Sequence, residues 1–337
     1  MNIIIPMAGR GTRLRPHTLT VPKPLIPIAG KPIVQRLVED IAKVCDQKID
    51  QIGFIIGRDF GQEVEENLKE VAASVGGKGH IYYQDQKLGT AHAILCAKEV
   101  LEGNTIIAFA DTLFRAEFKL DTSKDGIIWV QQVDEPSSFG VVKVDEENHI
   151  TDFVEKPTEF VSDLAIIGIY FFKDGSYLKD ELQYLIDNDI KDRGEYQITN
   201  ALENMKSKGA KFVPGQVSEW LDCGNKDVTV HTNKRYLEFI KDEDLIAASS
   251  QQKNSVIIPP VYIGENVHLE NSVIGPHVSI GENTTIKNSV IQNAIIQKNA
   301  AISNANFKNS MIGNYVTFEG NQDDLSLGDY NELKRET

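Results

Sequence analysis

The sequence has few cysteines and no long apolar segment. Its 337 residues include three cysteines, Cys45, Cys96 and Cys223, which are scattered and show no CxxC spacing. Such a set predicts neither a disulfide framework nor a structural zinc site, and it favours a reducing, cytoplasmic setting. No run approaches the ~18 consecutive apolar residues of a membrane helix, and the first residues lack a basic stretch followed by an apolar one. We therefore expect neither secretion nor membrane insertion.

Positive charge is also scarce. Lysine and arginine together number 35, against 49 aspartates and glutamates, which gives a formal net charge of −14. A surface of this sign repels nucleic acid and anionic lipid, so we expect no nucleic-acid partner and no membrane partner. An anionic ligand would have to meet a locally basic site.

The chain is long enough for two domains, on the usual scale of ~100–200 residues per domain. Up to about residue 240, short β-branched runs alternate with amphipathic stretches, which is typical of an α/β domain with a largely parallel sheet. Residues 241–253 lose apolar periodicity and predict a linker, and a polar tail follows at 319–337. The predicted strands are 2–6, 51–57, 105–111, 126–133 and 166–173, and the predicted helices are 33–45, 61–75, 91–101 and 196–208.

An internal repeat marks the second part of the chain. The tetrapeptide NSVI occurs at 254–257, 271–274 and 288–291, with a spacing of 17 residues each time. Aliphatic residues over 254–318 recur every five or six positions, which is too long for strand alternation and too irregular for a helix. This period predicts a parallel β-helix of three to four coils, and it resembles the hexapeptide repeat of left-handed β-helices. A β-sandwich is disfavoured because its strands rarely recur at a fixed spacing.

Glycine, proline and basic residues are concentrated directly after the first predicted strand. The sequence IIIPMAGRGTRLRPHTLTVPKPLIPIAGKP spans residues 3–32. Gly9 and Gly11 would let backbone N–H groups approach phosphate oxygens at the carboxyl end of a strand, where open α/β sheets bind ligands. Neither common phosphate motif fits, because Leu14 stands at the third glycine of a dinucleotide fingerprint and Pro32 follows the Gly-Lys pair of a Walker A loop.

The segment AGRGTRLRPHTLTVPKPLIPIAGKP resembles the signature of sugar-nucleotide pyrophosphorylases, the nucleotidyltransferases that join a sugar 1-phosphate to an NTP. It is most similar to glucose-1-phosphate thymidylyltransferases and their uridylyltransferase relatives, and the resemblance extends over the whole first domain. It implies a Rossmann-like nucleotidyltransferase catalytic domain over 1–240, with a mixed, mostly parallel sheet. The short left-handed parallel β-helix would follow at 254–318.

The resemblance implies that the glycine-rich loop and two basic residues hold the NTP phosphates. Arg13 can bind two phosphate oxygens with its forked guanidinium, and Lys23 acts as a point charge between two prolines that restrict its backbone. Both are catalytic candidates, because nucleotidyl transfer depends on positioning and on neutralising the charge that builds. The nucleotide-binding residues implied in this region are Ala8, Gly9, Gly11, Thr12, Arg13 and Lys23.

A second segment, YYQDQKLGTAHA at 82–93, resembles the element that reads the base. Gln84 matches a glutamine that pairs with uracil or thymine, and a primary amide suits this role because it can donate to a carbonyl and accept from N3–H. Gly89 would contribute its backbone, and Thr90 is a nucleotide-binding candidate that could equally be a helix N-cap. The segment favours UTP or dTTP over a purine nucleotide and leaves the choice between those two open.

Two aspartates follow strand-like runs in IIAFADT and EWLDCGN. The resemblance assigns Asp111 and Asp222 to Mg²⁺ and to catalysis. Hard carboxylate oxygens with few protein ligands suit Mg²⁺ when substrate phosphates complete its coordination shell. Ala110 stands where the family usually has glycine, and either aspartate alone could instead cap a helix.

The sugar phosphate is assigned by resemblance to the segments FGVV, EKP and GIYFF. Gly140 would offer its backbone N–H to a hydroxyl, and Glu155 would accept hydrogen bonds from sugar hydroxyls. Lys156 would hold the 1-phosphate, and Tyr170 would line the pocket.

Together these segments predict an enzyme that joins a sugar 1-phosphate, with glucose 1-phosphate favoured, to UTP or dTTP and releases pyrophosphate. Ile166 and Ile167 stand where relatives often carry small or polar residues, so the sugar stays open, and Glu195 either meets the sugar or caps the following helix. Two alternatives remain: a non-catalytic relative that senses sugar nucleotides or assembles partners, and a bifunctional enzyme whose β-helix transfers acyl groups. We expect the β-helix instead to serve packing or assembly of a homo-oligomer.

Overall fold

A computed structural model describes residues 1–9, 11–116 and 119–321. The chain divides into two compact units, Met1–Thr232 and a second unit that begins at Asn233. Arg10 of the glycine-rich loop and most of the predicted tail lie outside the described residues. Within the described part, no helix is both long and apolar enough to cross a membrane.

The first unit combines one large sheet with helices. Its helices are α1 (Ile33–Val44), α2 (Gln62–Ser74), α3 (Thr90–Leu95), α4 (Gly175–Asp187), α5 (Ile198–Ser207) and α6 (Lys226–Phe239), the last of which extends past the division between the units. Its strands are β1 (Asn2–Pro6), β2 (Pro27–Ile28), β3 (Lys31–Pro32), β4 (Gln51–Ile56), β5 (Lys78–Tyr83), β6 (Thr105–Ala108), β7 (Thr112–Arg115), β8 (Gly126–Gln132), β9 (Gly140–Val144), β10 (Ile150–Glu155), β11 (Leu164–Phe172), β12 (Phe212–Gln216) and β13 (Glu219–Asp222).

The large sheet has the order β10-β9-β11-β6-β1-β4-β5, and β8 joins β11 to β12. Strand β1 is parallel to β4 and β6, whereas β11 is antiparallel to β6, β8 and β9. By these pairings β10 and β11 run against the other strands of the sheet within the described residues. The predicted mixed, mostly parallel α/β sheet is therefore confirmed.

Strand β1 lies inside this sheet and directs the chain to the glycine-rich loop. All of its residues are buried, because both faces are covered, and a strand covered on both faces reads as a continuous apolar run. The buried amide of Asn2 donates to the main-chain oxygens of Val100 and Glu102 at 3.1 and 3.0 Å. These bonds satisfy the polar group at the start of an otherwise apolar strand.

Several predicted elements have different ends in the structure. Strand β6 ends at Ala108 instead of residue 111, because the N–H of Phe109 turns to the carbonyl of Gly168, at 2.9 Å, where β11 bulges. Helix α3 ends at Leu95 instead of residue 101, because the following residues form turns with shorter i to i+3 hydrogen bonds, such as Val100 N to Ala97 O at 2.9 Å.

The second unit is a parallel β-helix. Its strands are β14 (Gln251–Lys253), β15 (Val256–Ile257), β16 (Val261–Ile263), β17 (His268–Glu270), β18 (Val273–Ile274), β19 (Val278–Ile280), β20 (Thr285–Lys287), β21 (Val290–Ile296), β22 (Ala301–Ser303), β23 (Asn306–Ile312) and β24 (Thr317–Glu319). Every pairing among them is parallel, and the aliphatic residues that point inward form one continuous buried core. Four coils and the first strand of a further one are present in the described residues.

The coil length changes along the β-helix. His268 pairs with Thr285, 17 residues on, but Thr285 pairs with Ala301, 16 residues on. The difference lies at one corner, where residues 275–277 separate β18 from β19 but only residues 292–293 occupy the equivalent point of β21. The 17-residue repeat of the sequence therefore describes the first coils and not the later ones.

Asparagines occupy corners of the β-helix in the left-handed backbone region. Asn254, Asn271 and Asn288 have φ of 50°, 50° and 48°, a conformation that asparagine tolerates better than most residues. Their side chains form a ladder, in which Asn254 donates to Asn271 at 3.4 Å, Asn271 to Asn288 at 3.2 Å and Asn288 to Asn304 at 3.3 Å. The first residue of each NSVI repeat thus fixes a corner.

The predicted domain limits differ from the observed division. The units separate between Thr232 and Asn233, within α6, instead of at residue 240. Strand β14 lies inside the segment interpreted as a linker, because the exposed side chains of Gln251–Lys253 leave no apolar pattern although their backbone pairs with β17.

Candidate active site

The glycine-rich loop leaves the carboxyl end of β1. The N–H of Met7 donates to the carbonyl of Ile55 at 2.8 Å, which holds the loop against β4. A Cβ at Gly9 would meet no atom within 4 Å, so the backbone there is accessible. Gly11 has φ of 65°, and a Cβ there would lie 2.6 Å from Cβ of Lys23. Glycine at this position therefore allows Lys23 to approach the loop.

Lys23 is the buried cation of the site. Only 5% of it is exposed, and its Nζ lies 3.3 Å from Oδ2 of Asp111. Pro22 and Pro24 flank it at the start of a short 3₁₀ turn, and their fixed φ angles limit the directions that the side chain can take. A buried ammonium needs a compensating charge or acceptor, and Asp111 supplies one.

Asp111 and Asp222 come together through the short antiparallel pair of β7 and β13. Asp222 lies opposite Thr112, and the N–H of Cys223 donates to the carbonyl of Asp111 at 3.1 Å. Burial raises the pKa of Asp222 and the charge of Asp111 raises it further, whereas the charge of Lys23 acts in the opposite direction. The two carboxylates therefore lie within each other's field.

Arg13 reaches the same place from the glycine-rich loop. It lies in the 3₁₀ turn that begins at Thr12, and its Nη2 is 3.4 Å from the position that a Cβ of Gly224 would occupy. That position is 2.9 Å from Oδ2 of Asp222, and the positive charge of Arg13 opposes, to a small extent, the rise in the pKa of Asp222 that burial causes. The structure thus brings together the catalytic residues predicted from the sequence, Arg13, Lys23, Asp111 and Asp222.

The aspartate pair fits Mg²⁺ as an ion shared between protein and substrate. Within the described ranges there is no group of three or more His, Cys, Asp or Glu that could hold a metal ion by itself. Asp111 and Asp222 offer hard carboxylate oxygens, and Mg²⁺ commonly takes one or two of these while water and substrate phosphates supply the remainder. The neighbouring carboxylates would also lose their mutual repulsion on binding a divalent cation.

Gln84 begins the base-reading loop after β5. Its Nε2 donates to the carbonyl of Gly89 at 3.3 Å and lies 3.3 Å from Nδ1 of His92. Burial lowers the pKa of His92, and a neutral ring can accept at Nδ1 when its proton is on Nε2. Both amide hydrogens of Gln84 are then used within the protein, so the carbonyl Oε1 is the group left to meet a ligand.

Gly89 is required by the approach of a second loop. Its φ is 114°, and a Cβ there would lie 2.4 Å from the carbonyl oxygen of Tyr196. The N–H of Tyr196 donates to Leu88 at 2.8 Å and its carbonyl accepts from Ala91 at 2.9 Å. Two main-chain hydrogen bonds on either side of Gly89 therefore fasten the base-reading loop to the segment before α5.

The hydroxyl of Thr90 is used by helix α5. The N–H of Ile198, the first residue of α5, donates to Oγ1 of Thr90 at 2.9 Å, and that hydroxyl donates to Oε1 of Gln197 at 2.9 Å. The N-cap of α3 is Gly89, without a side-chain cap. The interpretation of Thr90 as the N-cap of its own helix is therefore wrong, because the hydroxyl satisfies the first N–H of α5 instead.

These loops enclose an open cavity of about 220 Å³. It is formed by the glycine-rich loop, the base-reading loop, the end of β6 and one residue before α5. The lining residues are Pro6, Met7, Ala8, Gly9, Gln84, Lys87, Gly89, Thr90, Ala93, Phe109 and Glu195. The predicted nucleotide-binding residues thus divide into those that line the cavity, Ala8, Gly9, Gln84, Gly89 and Thr90, and those that are not among its lining residues, Gly11, Thr12, Arg13 and Lys23.

The predicted sugar-side residues are not among the residues that line this cavity: Gly140 is on β9, Glu155 and Lys156 are at the end of β10, and Tyr170 is on β11. Gly140 pairs with Glu155, and a Cβ at Gly140 would lie 3.2 Å from Oε2 of Glu155. The same oxygen accepts from Oγ1 of Thr199 at 3.4 Å, and Oε1 of Glu155 lies 3.4 Å from Nζ of Lys156. Lys156 has φ of 40°, a strained conformation that is enriched at functional sites.

Tyr170 connects this side with the cavity. Its ring packs edge-on against Phe109, with centroids 6.3 Å apart. Burial raises the pKa of Tyr170, and the charges of Glu155 and Asp111 add to the effect. Ile167 is only 3% exposed and belongs to the core.

Sequence reasoning missed five lining residues, Pro6, Met7, Lys87, Ala93 and Phe109. Lys87 lies inside the base-reading segment, but no spacing distinguishes it from an ordinary surface lysine. Phe109 was included in a predicted strand, but β6 ends at Ala108. Phe109 therefore lies outside the strand, opposite Gly168 with its φ of 81°, and reaches the cavity. The glycine in GIYFF is the signal that could have indicated this bulge. The roles assigned to individual site residues stay predictions.

A family model described as Nucleotidyl transferase matches residues 2–238. The chain belongs to this family. A second model, described as GlmU-like, C-terminal hexapeptide, matches residues 237–306 of this nucleotidyl transferase and confirms the left-handed β-helix expected there.

Curated relatives match the nucleotidyl transferase over most of its length. It is 29% identical over 277 residues to Bifunctional protein GlmU of Methanococcus vannielii, which is 79% of this chain and 62% of that protein. It is 30% identical over 247 residues to Low-salt glycan biosynthesis nucleotidyltransferase Agl11 of Haloferax volcanii, which is 71% of this chain and 66% of that protein. The chain thus spans less than two thirds of the length of either relative.

Solved structures agree with this assignment. A crystal structure of UDP-glucose pyrophosphorylase complexed with UDP-glucose aligns with 71% of this chain and 98% of that chain, at a TM-score of 0.58 and 25% identity.

Proposed function

We propose that this nucleotidyl transferase joins a sugar 1-phosphate to UTP or dTTP and releases pyrophosphate. The observation that carries the proposal is the convergence of Arg13, Lys23, Asp111 and Asp222 beside the glycine-rich loop. Two cations and two carboxylates in one place are what a reaction between phosphates requires, since its barrier is lowered mainly by positioning and by charge neutralisation.

The reaction is an in-line displacement at the α-phosphorus. An oxygen of the sugar 1-phosphate forms the new bond to phosphorus, and the bond from phosphorus to the bridging oxygen of pyrophosphate breaks. Arg13 and Lys23 stabilise the negative charge that pyrophosphate carries away. Asp111 and Asp222 would hold Mg²⁺, which when bound supplies charge neutralisation and alignment of the phosphates.

The base preference rests on the carbonyl Oε1 of Gln84, which accepts no hydrogen bond from the described residues. Its amide hydrogens are used by Gly89 and His92, so the group facing the cavity accepts hydrogen bonds. Uracil and thymine present N3–H, which matches an acceptor, whereas cytosine has an acceptor at that ring position. We therefore expect UTP and dTTP to be used in preference to CTP.

The sugar assignment is supported by Glu155 and Lys156 and by the relatives. Glu155 is mostly buried beside Gly140 and can accept from sugar hydroxyls, while Lys156 is half exposed and can meet a phosphate. Glucose 1-phosphate is the proposed sugar substrate, because a solved neighbour is named UDP-glucose pyrophosphorylase.

The test is release of pyrophosphate from each combination of UTP, dTTP, CTP, ATP and GTP with glucose 1-phosphate, N-acetylglucosamine 1-phosphate and mannose 1-phosphate, with products identified by mass. We expect turnover with UTP or dTTP and glucose 1-phosphate, dependent on Mg²⁺. Turnover with none of the combinations would support the alternative of a non-catalytic relative. Light scattering of the same sample checks the proposed homo-oligomer.

A second candidate activity, acyl transfer by the β-helix, is favoured by the GlmU-like hexapeptide match and by a relative whose name includes the word bifunctional. Its test is consumption of acetyl-CoA by the purified protein in the presence of amino sugar 1-phosphates. No consumption is the result expected if the β-helix serves assembly only.

A further inference from the structure

A chain of three hydrogen bonds joins the base-reading loop to a carboxylate in the cavity wall. The N–H of Ile198 donates to Oγ1 of Thr90 at 2.9 Å, and Thr90 donates to Oε1 of Gln197 at 2.9 Å. Nε2 of Gln197 then donates to Oε2 of Glu195 at 3.0 Å. Thr90 and Gln197 lie 107 positions apart in the sequence.

The groups at the two ends, a main-chain N–H and a carboxylate, determine which group donates and which accepts in each of the three hydrogen bonds. An ionised carboxylate only accepts, so the amide of Gln197 must turn its NH₂ toward Glu195 and its oxygen toward Thr90. A main-chain N–H only donates, so the hydroxyl of Thr90 accepts from Ile198 and has one hydrogen left for Gln197. The opposite amide orientation would place two acceptors together at Glu195.

Gln197, which positions, and Glu195, which is positioned, differ in burial. Gln197 is 6% exposed, whereas Glu195 is exposed at the cavity wall. The backbone of the segment is held independently, because Tyr196 bonds to Leu88 and Ala91 through its main chain. The side-chain hydrogen bonds from Thr90 to Gln197 and from Gln197 to Glu195 are therefore not needed to place the loop. They determine instead where the carboxylate of Glu195 points.

We propose that Gln197 is a positioning residue that holds Glu195 toward a hydroxyl of a bound substrate and couples that contact to the base-reading loop through Thr90. The proposal rests on the proposed function. The hydroxyl belongs to the ribose of the nucleotide or to the sugar ring, since a carboxylate accepts from either. Preorganised side chains of this kind lower the cost of ordering at the moment of binding.

Gln197→Met keeps the length and apolar body of the side chain and removes both hydrogen bonds. We expect it to lower kcat/KM by roughly 10- to 100-fold, while Glu195→Gln gives a loss of similar size. Because both changes act on the same contact, the double variant should lose no more than Glu195→Gln alone. Gln183→Met is the matched control, since Gln183 donates to Asp187 at 2.7 Å on the exposed surface of α4.

The exchange variant Glu195→Gln with Gln197→Glu tests the chain even if Gln197→Met folds poorly. It restores a donor and an acceptor between the two positions and still accepts from Thr90, but it moves the charge away from the cavity. The new carboxylate at position 197 is buried and costs some stability, so we expect a folded protein with a lower thermal midpoint than the wild type and with the kinetic defect of Glu195→Gln.

Two measurements identify the source of the hydroxyl. If Gln197→Met and Glu195→Gln raise KM for the sugar 1-phosphate alone, the hydroxyl belongs to the sugar ring. If they raise KM for the nucleotide and reduce the preference for UTP over 2′-deoxyuridine triphosphate, the hydroxyl belongs to the ribose.

Two results with an active wild type would overturn this inference but not the proposed function. One is additive losses in the double variant, and the other is unchanged kinetics of Gln197→Met. Absence of turnover by the wild type with every substrate pair would overturn the proposed function and this inference with it.

Discussion

The ammonium of Lys23 lies 3.3 Å from a carboxylate oxygen of Asp111, and the two side chains differ sharply in exposure. The Lys23 side chain is 7% exposed, whereas that of Asp111 is 52% exposed. The buried partner is fixed in place, while the exposed partner keeps room for a metal ion or a phosphate. The pair is therefore arranged as the inner wall of a site open to solvent.

Lys23→Met tests the role of the Lys23–Asp111 pair. We expect kcat/KM for pyrophosphate release to fall by about 100- to 1000-fold, the size of effect seen when a preorganised charge or donor is removed from a reacting centre. Lys43→Met is the control, because the side chain of Lys43 is 62% exposed and pairs with Asp40 on α1, away from the four converging residues. Equal activities of the two variants would contradict the assignment of Lys23.

Asp111→Asn and Asp222→Asn test the metal assignment. Each removes one negative charge while keeping the shape of the side chain, so we expect turnover with Mg²⁺ to be abolished and binding of Mn²⁺, measured by titration in the presence of nucleotide, to weaken. Asp187→Asn at the end of α4 is the control and should behave as the wild type. Wild-type-like turnover of Asp111→Asn would remove the metal site from the proposal.

Local signals in the sequence were sufficient for β1, for the glycine-rich loop and for aspartates at strand ends. A buried strand, a φ above zero at Gly11 and a carboxylate after an apolar run each leave a mark within a few residues. Contacts made across the fold leave no such mark. Nothing near Thr90 indicates that its hydroxyl is used by Gln197, and nothing in the polar segment Gln251–Lys253 indicates a strand whose backbone pairs with β17.

Gly89→Ala tests the close contact between the two loops. Gly209→Ala is its matched control, since Gly209 has φ of 102° with nothing within 4 Å of a Cβ. The control should cost about 1–2 kcal/mol of unfolding free energy from the backbone conformation alone. Gly89→Ala should cost roughly 1–3 kcal/mol more, because its Cβ would overlap the backbone of Tyr196 and because its ψ of 179° places it in a region that only glycine adopts readily. Urea unfolding measures both, and equal losses would show that the loops separate without cost.

His92 should make stability depend on pH. Burial lowers its pKa in the folded protein, so the unfolded chain, with a pKa of about 6.5, takes up the proton first. The stabilisation is complete above that pH and is lost as the pH falls through 6.5 toward the lower folded value. His92→Gln keeps an acceptor for Gln84 but cannot titrate in this range.

The measurement is the difference in thermal midpoint between the wild type and His92→Gln from pH 7.5 to 5. The difference is needed because burial also lowers the pKa of His17 and His80, and both contribute equally to the two proteins. We expect the wild type to lose stability relative to the variant as the pH falls. A difference that does not change with pH would contradict the hydrogen bond from Gln84 to a neutral ring.

Substitutions of Asn271 separate the contributions of the left-handed backbone and of the side-chain ladder to the stability of the β-helix corners. Its φ of 50° favours asparagine or glycine, and its amide bonds to Asn254 and Asn288 at 3.4 and 3.2 Å. Asn271→Gly removes the ladder but tolerates the backbone, whereas Asn271→Ala removes the ladder and adds about 1–2 kcal/mol of left-handed strain. We expect alanine to lower the unfolding free energy more than glycine by that amount in urea titrations. If glycine is as damaging as alanine, the side-chain ladder, and not the backbone conformation, explains why the NSVI repeat begins with asparagine.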